Sequence, residues 1–275
     1  MVIASPRIHE MSNKALLEGL SHFTPKFFLA LDFPDYTVRT AQSGDEVMQA
    51  LQLRYQVFYQ ELGALSLGET TDIDGFDLIA DHLLLIDKKT QTTVGTYRFL
   101  CSRFTERFYS ETEFDLSAIL ALDGEKLELG RACIHPAHRN SSAIQLLWKG
   151  MTSYFSACGA RYMFGCSSVD SHLEPYFGMI HQYLNKHHLA SASHRVIPHQ
   201  NVHAWVNLDA ILDDAGERKA ERMVPSLLKA YLKAGSKVAG LPFWDPVFST
   251  LDYFTLFDQN DITESYARKY NLATA

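Results

Sequence analysis

Residues 128 to 139 read Glu-Leu-Gly-Arg-Ala-Cys-Ile-His-Pro-Ala-His-Arg, which places one carboxylate and two guanidiniums on and just beyond a strand-like run. Alternation along a strand puts Leu127, Leu129, Arg131 and Cys133 on one face and Glu128, Gly130, Ala132 and Ile134 on the other, so Glu128 and Arg131 would point apart. Gly130 between them permits a bulge that turns both toward one cleft and leaves backbone N–H groups unpaired beside them. Such a place holds a base for an ammonium nucleophile and donors where an oxyanion develops, the two needs of acyl transfer to an amine. The alternative is an ordinary Glu128–Arg131 ion pair on a solvated strand.

The elements that must position this run can be read around it. A short helical arm is expected from Ser12, with Leu16, Leu17, Leu20 and Phe23 on one stripe; it sets residues 1–35 apart from a main domain over 36–275. Tyr36 opens a first strand, and Ser43-Gly-Asp-Glu46 reads as a capping box starting a helix with Val47, Leu51 and Phe58 on its inner stripe. Arg54 falls on that same stripe. A buried guanidinium needs carboxylate partners, and the acidic loop Asp72-Ile-Asp74-Gly-Phe-Asp77 is the supplier expected.

His82–Ile86 and Thr93–Leu100 read as a hairpin, Lys126–Ile134 as the next strand, and Ser142–Cys158 as a helix carrying Ile144, Leu147, Trp148, Met151 and Phe155. A strand over 161–166, a helix over 174–188, a strand over Val202–Leu208, a helix over 221–237 and a strand over Leu251–Phe257 complete the order. The fold class is therefore α/β (α+β), a mixed, mostly antiparallel sheet with helices on both faces. In the 221–237 helix, Val224, Leu227, Leu228 and Tyr231 form an apolar stripe, while Lys229, Lys233 and Lys237 make a basic row able to dock an acidic carrier protein or an anionic leaflet.

The chain carries 25 basic and 32 acidic residues, a net charge of −7, which argues against nucleic acid as partner. Its four cysteines show no paired spacing and read as buried hydrophobes in a reducing compartment. The cytoplasm is the expected location, with association at the inner face of the membrane as an option. Twelve histidines raise the question of metal, but His187, His188, His194, His199 and His203 lack a ligand pattern with acidic or thiol companions, so no metal site is expected.

From Tyr36 to Tyr270 the chain resembles the GNAT-fold N-acyltransferases related to acyl-homoserine-lactone synthases, above all the ornithine N-acyltransferase and N-acyl amino acid synthase group. The motifs that carry the resemblance are Leu53-Arg54-Tyr-Gln-Val-Phe58, Asp74-Gly-Phe-Asp77, Gly95-Thr-Tyr-Arg98, Glu128-Leu-Gly-Arg131 and the run Pro225–Gly235. It implies transfer of a fatty acyl group, 3-hydroxyacyl by expectation, from acyl carrier protein to the α-amine of an amino acid. Ornithine is the expected acceptor and a lyso-ornithine lipid the product.

By the same resemblance, Glu128 is the general base, with Arg98 and Arg131 organising the site electrostatically. Arg54, Phe58, Asp74 and Asp77 form the site-organising network, and Cys133, Ile134, Arg139, Ser141 and Trp148 line the donor. No cofactor is expected to stay bound; the 4'-phosphopantetheine thioester of the carrier protein is the donor, with acyl-CoA the alternative. The stretch Arg139-Asn-Ser-Ser-Ala-Ile144 lacks the glycines with which coenzyme A-dependent relatives cradle a pyrophosphate, which favours the carrier protein. Residues 59–70 lack the Trp of the lactone synthases, which counts against a lactone product. The rival readings are another acceptor such as glycine or tyrosine, and a non-catalytic hydrophobe-binding protein that keeps the fold.

Overall fold

The computed structural model describes residues 12–65, 70–204 and 206–270. Helix α1 (Asn13–Leu20) starts where the Ser12 hydroxyl accepts from the Ala15 N–H. Strands β1 (Ala30–Asp32) and β2 (Tyr36–Thr40) follow, then helix α2 (Gly44–Tyr55), which widens into a π-type turn over Gln56–Glu61. A one-turn helix at Gly75–Leu78 leads to β3 (Asp81–Asp87) and β4 (Thr92–Cys101). Next come β5 (Phe114–Asp115), α3 (Ser117–Leu120), β6 (Glu125–Ile134) and α4 (Ser141–Ala157). The remainder is β7 (Ala160–Asp170), α5 (Phe177–His188), β8 (Ile197–Pro198), α6 (Asp214–Met223), α7 (Ser226–Ala234), β9 (Lys237–Val238), β10 (Phe243–Asp245), β11 (Thr250–Asp258) and α8 (Glu264–Tyr270).

The chain divides into two compact units: the residues up to Arg107 with Glu128–Gly159, and Phe108–Leu127 with the residues from Ala160 onward. In the first, the strand order is β1-β2-β3-β4-β6, with antiparallel pairing from β1 through β4. The run His82-Leu-Leu-Leu-Ile86 has no polar face because β3 is covered on both sides. Leu84 and Ile86 pack with Val47, Ala50 and Leu51 of α2. Leu83 faces α4, where Gly150 comes so near that an added Cβ would lie 2.9 Å from the Leu83 side chain and 2.5 Å from Val38.

The arm joins the α2 layer, burying Leu16 and Leu20. Past it, the Asp81 carboxylate accepts the backbone N–H groups of Lys26 (2.7 Å) and Phe27 (2.9 Å) and the Tyr154 hydroxyl (2.7 Å). In the second unit, β11 pairs antiparallel with β7, β10 and β9. Its core gathers α5 and α7 through Phe177, Ile180, Leu184, Leu228 and Leu232. No helix among the described residues is long and apolar enough to cross a membrane.

Several sequence expectations change. The capping box at Ser43 is half made: Ser43 accepts from the Glu46 N–H, but the Glu46 carboxylate turns to Arg39 and the Gln42 N–H. Ile144 is 45% exposed, and the buried stripe of α4 is entered through Ala143 instead. The described residues of 202–208 form no strand; Val202 and Leu208 are buried anchors of a turn and loop, an alternation that mimics β spacing.

The helix expected over 221–237 is two helices. Pro225 forces Val224 to an extended ψ of 130° and lies at the N-cap of α7, which ends at Ala234. Lys237 therefore belongs to β9, and Leu227 is exposed. The three lysines do not share one helix face.

Candidate active site

Arg54 is fully buried near the end of α2. Its Nε donates to Asp72 at 2.6 Å, and its two terminal nitrogens donate to Asp77 at 2.7 and 3.2 Å. Asp74 and Asp77 are fixed by their own short helix, in which Asp74 accepts from the Phe76 N–H and Asp77 accepts from the Asp74 N–H. Arg98, 2% exposed on β4, donates to Asp74 at 2.6 Å and Asp77 at 3.2 Å, with its guanidinium 5.6 Å from the centre of the Phe76 ring. Arg131 completes the set, 3.3 Å from Asp72 and 3.2 Å from Asp74.

Three guanidiniums thus face three carboxylates. Burial alone would raise the Asp77 carboxyl, but Arg54 and Arg98 hold it far below the usual carboxylate range; Asp72 is lowered against burial by Arg54 and Arg131. Each carboxylate faces at least one guanidinium, which braces the group as a frame. Asp72 opens the acidic loop expected to supply Arg54 and does so, although the family resemblance points only to Asp74 and Asp77. Arg54 takes Asp72 and Asp77, while Asp74 serves Arg98 and Arg131. Tyr59 also reaches Asp72 (3.3 Å), because the π-type turn after Arg54 re-aims the helix there.

On β6 the backbone departs from a flat ribbon at Arg131, whose φ is +53°. The expected kink is present, but one residue later than Gly130. A Cβ at Gly130 would meet Arg98 only at ordinary contact distances, so that glycine is not what the bend requires. Left-handed backbone at a non-glycine residue costs about 1 to 3 kcal/mol, and the two ion pairs of Arg131 hold it in place. Glu128 is 2% exposed. The solvated Glu128–Arg131 pair is therefore not what forms, since Arg131 pairs with Asp72 and Asp74.

The expected donor residues are dispersed in role. Cys133 packs with Leu53, Val57 and Phe58, and burial pushes its thiol up to about 12, which makes it a core hydrophobe rather than a nucleophile. Ile134 packs over Gly95, and Trp148 is buried in α4. Arg139 forms a two-pronged pair with Glu61 and donates from Nε to the Ile134 carbonyl at 3.0 Å. Ser141 heads α4, its side chain outside the described residues, and the cap is Asn140, which accepts from the Ala143 N–H. In the second unit Lys229 donates to the Arg222 carbonyl (2.8 Å), bridging the break at Pro225, and Lys233 is exposed; both line a surface groove with Tyr183 and Leu232.

Residues 53–149 match the acetyltransferase (GNAT) domain family, and with the largely antiparallel sheet and its flanking helices they define an N-acyltransferase of the GNAT class. An L-ornithine N(alpha)-acyltransferase of Rhodobacter capsulatus is 33% identical over 248 residues, covering 86% of this chain and 94% of that protein. One from Brucella abortus is 31% identical over 252 residues, covering 85% and 88%. The chain belongs to the L-ornithine N(alpha)-acyltransferase family. Among solved structures, the AHL synthase LasI aligns over 81% of this chain and 89% of its own, with a TM-score of 0.47 at 12% identity.

Proposed function

We propose that this protein transfers a fatty acyl group, by preference 3-hydroxyacyl, from the phosphopantetheine thioester of acyl carrier protein to the α-amine of ornithine, giving a lyso-ornithine lipid. The observation that carries the reading is the buried Glu128, three residues before the left-handed backbone of Arg131. Membership of a family whose relatives are named for this acceptor supports it.

In this mechanism Glu128, directly or through water, takes a proton from the α-ammonium. The freed amine attacks the thioester carbonyl, and N–H groups at the kink of β6 receive the developing oxyanion. The C–S bond then breaks, and the departing thiolate takes up the proton that the former amine nitrogen sheds as the amide forms. Arg98 and Arg131 set the local potential, while Arg54, Asp72, Asp74 and Asp77 hold them in register. The donor preference rests on the glycine-free Arg139–Ile144 segment, where a single phosphate is easier to satisfy than a pyrophosphate.

The test is a matched assay with acyl carrier protein thioester or acyl-CoA as donor and ornithine as acceptor. Glu128→Gln should fold normally and lose about 10² to 10⁴ in kcat. Full activity in that variant rejects the base assignment, and equal use of acyl-CoA rejects the donor assignment.

A further inference from the structure

A second group of carboxylates lies wholly within the other unit and takes no part in the mechanism above. Glu113 sits between the turn Tyr109–Thr112 and β5, Asp245 ends β10, and Asp252 lies on β11 opposite Phe243. One carboxylate oxygen from each comes within 4.8 Å of the others, and the three residues are 2%, 6% and 5% exposed. Asp245 accepts the N–H groups of Val247 (2.7 Å) and Phe248 (3.1 Å), and Asp252 accepts the Thr250 hydroxyl (2.8 Å). These bonds fix two of the carboxylates.

Glu113 is different. Neither of its carboxylate oxygens has a hydrogen-bond partner of good geometry, with only the Cys166 and Tyr109 side chains near enough to ease it, and both oxygens are sealed from water. Among the described residues no Lys, Arg or His forms an ion pair with Glu113 or Asp245. Burial first, and then Asp252 and Asp245, push the Glu113 carboxyl well above its ordinary value, with Cys166 and Tyr109 easing it only in part. An orphaned buried carboxylate beside two others is unfavourable unless something positive enters.

We propose that Glu113, Asp245 and Asp252 bind a hard divalent cation of the Mg²⁺, Mn²⁺ or Ca²⁺ class. The donor set is all oxygen, which suits these ions rather than thiolate-seeking metals. Oxygens on opposite sides of such an ion, at about 2.1 to 2.4 Å from it, are about 4.2 to 4.8 Å apart, so the cluster fits one ion without rebuilding the backbone. The ion would clasp the β10–β11 hairpin to the segment that leads into β5.

The experiment uses the full chain stripped with chelator and then titrated with MnCl₂ or CaCl₂ alone. Mn²⁺ is followed by its free-ion paramagnetic resonance signal and both ions by thermal unfolding. Expected are one ion per chain and a rise in Tm of about 5 °C at roughly a hundredfold excess over Kd. Glu113→Gln and Asp252→Asn should each abolish the bound ion and the Tm increment, while metal-free Glu113→Gln melts at or above the wild-type temperature. Three results overturn the proposal: no binding of either ion up to about 10 mM, beyond the weak end of carboxylate sites; binding that survives both substitutions; or stabilisation by ornithine alone that Glu113→Gln removes. In the first case a proton is the occupant of the cluster, and in the last an alkylammonium is.

Discussion

Six charged side chains meet around Asp74 in the first unit and three carboxylates meet around Glu113 in the second, and both groups are largely sealed from water. In the first, every Asp faces an Arg, and the carboxyls of Asp72 and Asp77 are held below their usual range. In the second, Glu113 faces only its own sign and is pushed up. Burial is common to both, so the difference lies in the counter-charge. A lattice closed on itself can brace a kinked strand, whereas an open one waits for a cation.

The largest expected effect breaks the closed lattice. Asp77→Asn keeps the shape but leaves Arg54 and Arg98 short of a partner, and should cost about 3 to 5 kcal/mol in urea unfolding. Combined with Arg54→Met, the loss should be smaller than the sum of the single losses. A loss under about 1 kcal/mol for Asp77→Asn would mean the lattice braces nothing.

Acid provides a second probe. His82 is buried against the Asp77 carbonyl (3.0 Å), and burial lowers its imidazole to about 4 from an ordinary 6.5. The unfolded chain therefore binds a proton that the folded chain refuses. The His82 contribution is complete above pH 6.5 and is lost as pH falls toward 4, by about 1 to 3 kcal/mol. The Asp77 carboxyl stays ionised through that window. His82→Gln should flatten the slope of stability against pH between 4 and 6.5, and an unchanged slope assigns it to other groups.

Smaller still, Glu113→Gln in chelator should gain up to about 1 kcal/mol by removing like-charge repulsion; a clear loss would show that the second cluster is already compensated. Smallest of all, Lys233→Glu should leave stability within about 0.5 kcal/mol while raising KM for the carrier-protein donor and not for ornithine. An unchanged donor KM makes that lysine an ordinary solvated side chain.

Much of the first cluster was legible because its parts announce themselves locally. Arg54 on an apolar helix stripe demands acids, and the acidic loop is close in sequence. The placement of the left-handed residue was not legible, since an arginine in that conformation is held there by Asp72 and Asp74, contacts that no local pattern encodes. The π-type turn at Gln56–Glu61 likewise leaves no compositional mark. The apolar spacing of residues 221–237 runs unbroken through Pro225 and so suggests one helix, but the proline's missing N–H and its pressure on Val224 outweigh periodicity. The second cluster was invisible because Glu113 meets Asp245 and Asp252 only through long-range pairing, and lone acids in a sequence look like surface.

Asp81 has a practical consequence for anyone trimming this chain. Two of its three donors are backbone N–H groups from Lys26 and Phe27, and the Phe27 ring packs edge-on against the third donor, Tyr154, so those residues act as a cork. Shortened versions that begin beyond Phe27 uncork an acid in the interior and leave Tyr154 as its remaining donor.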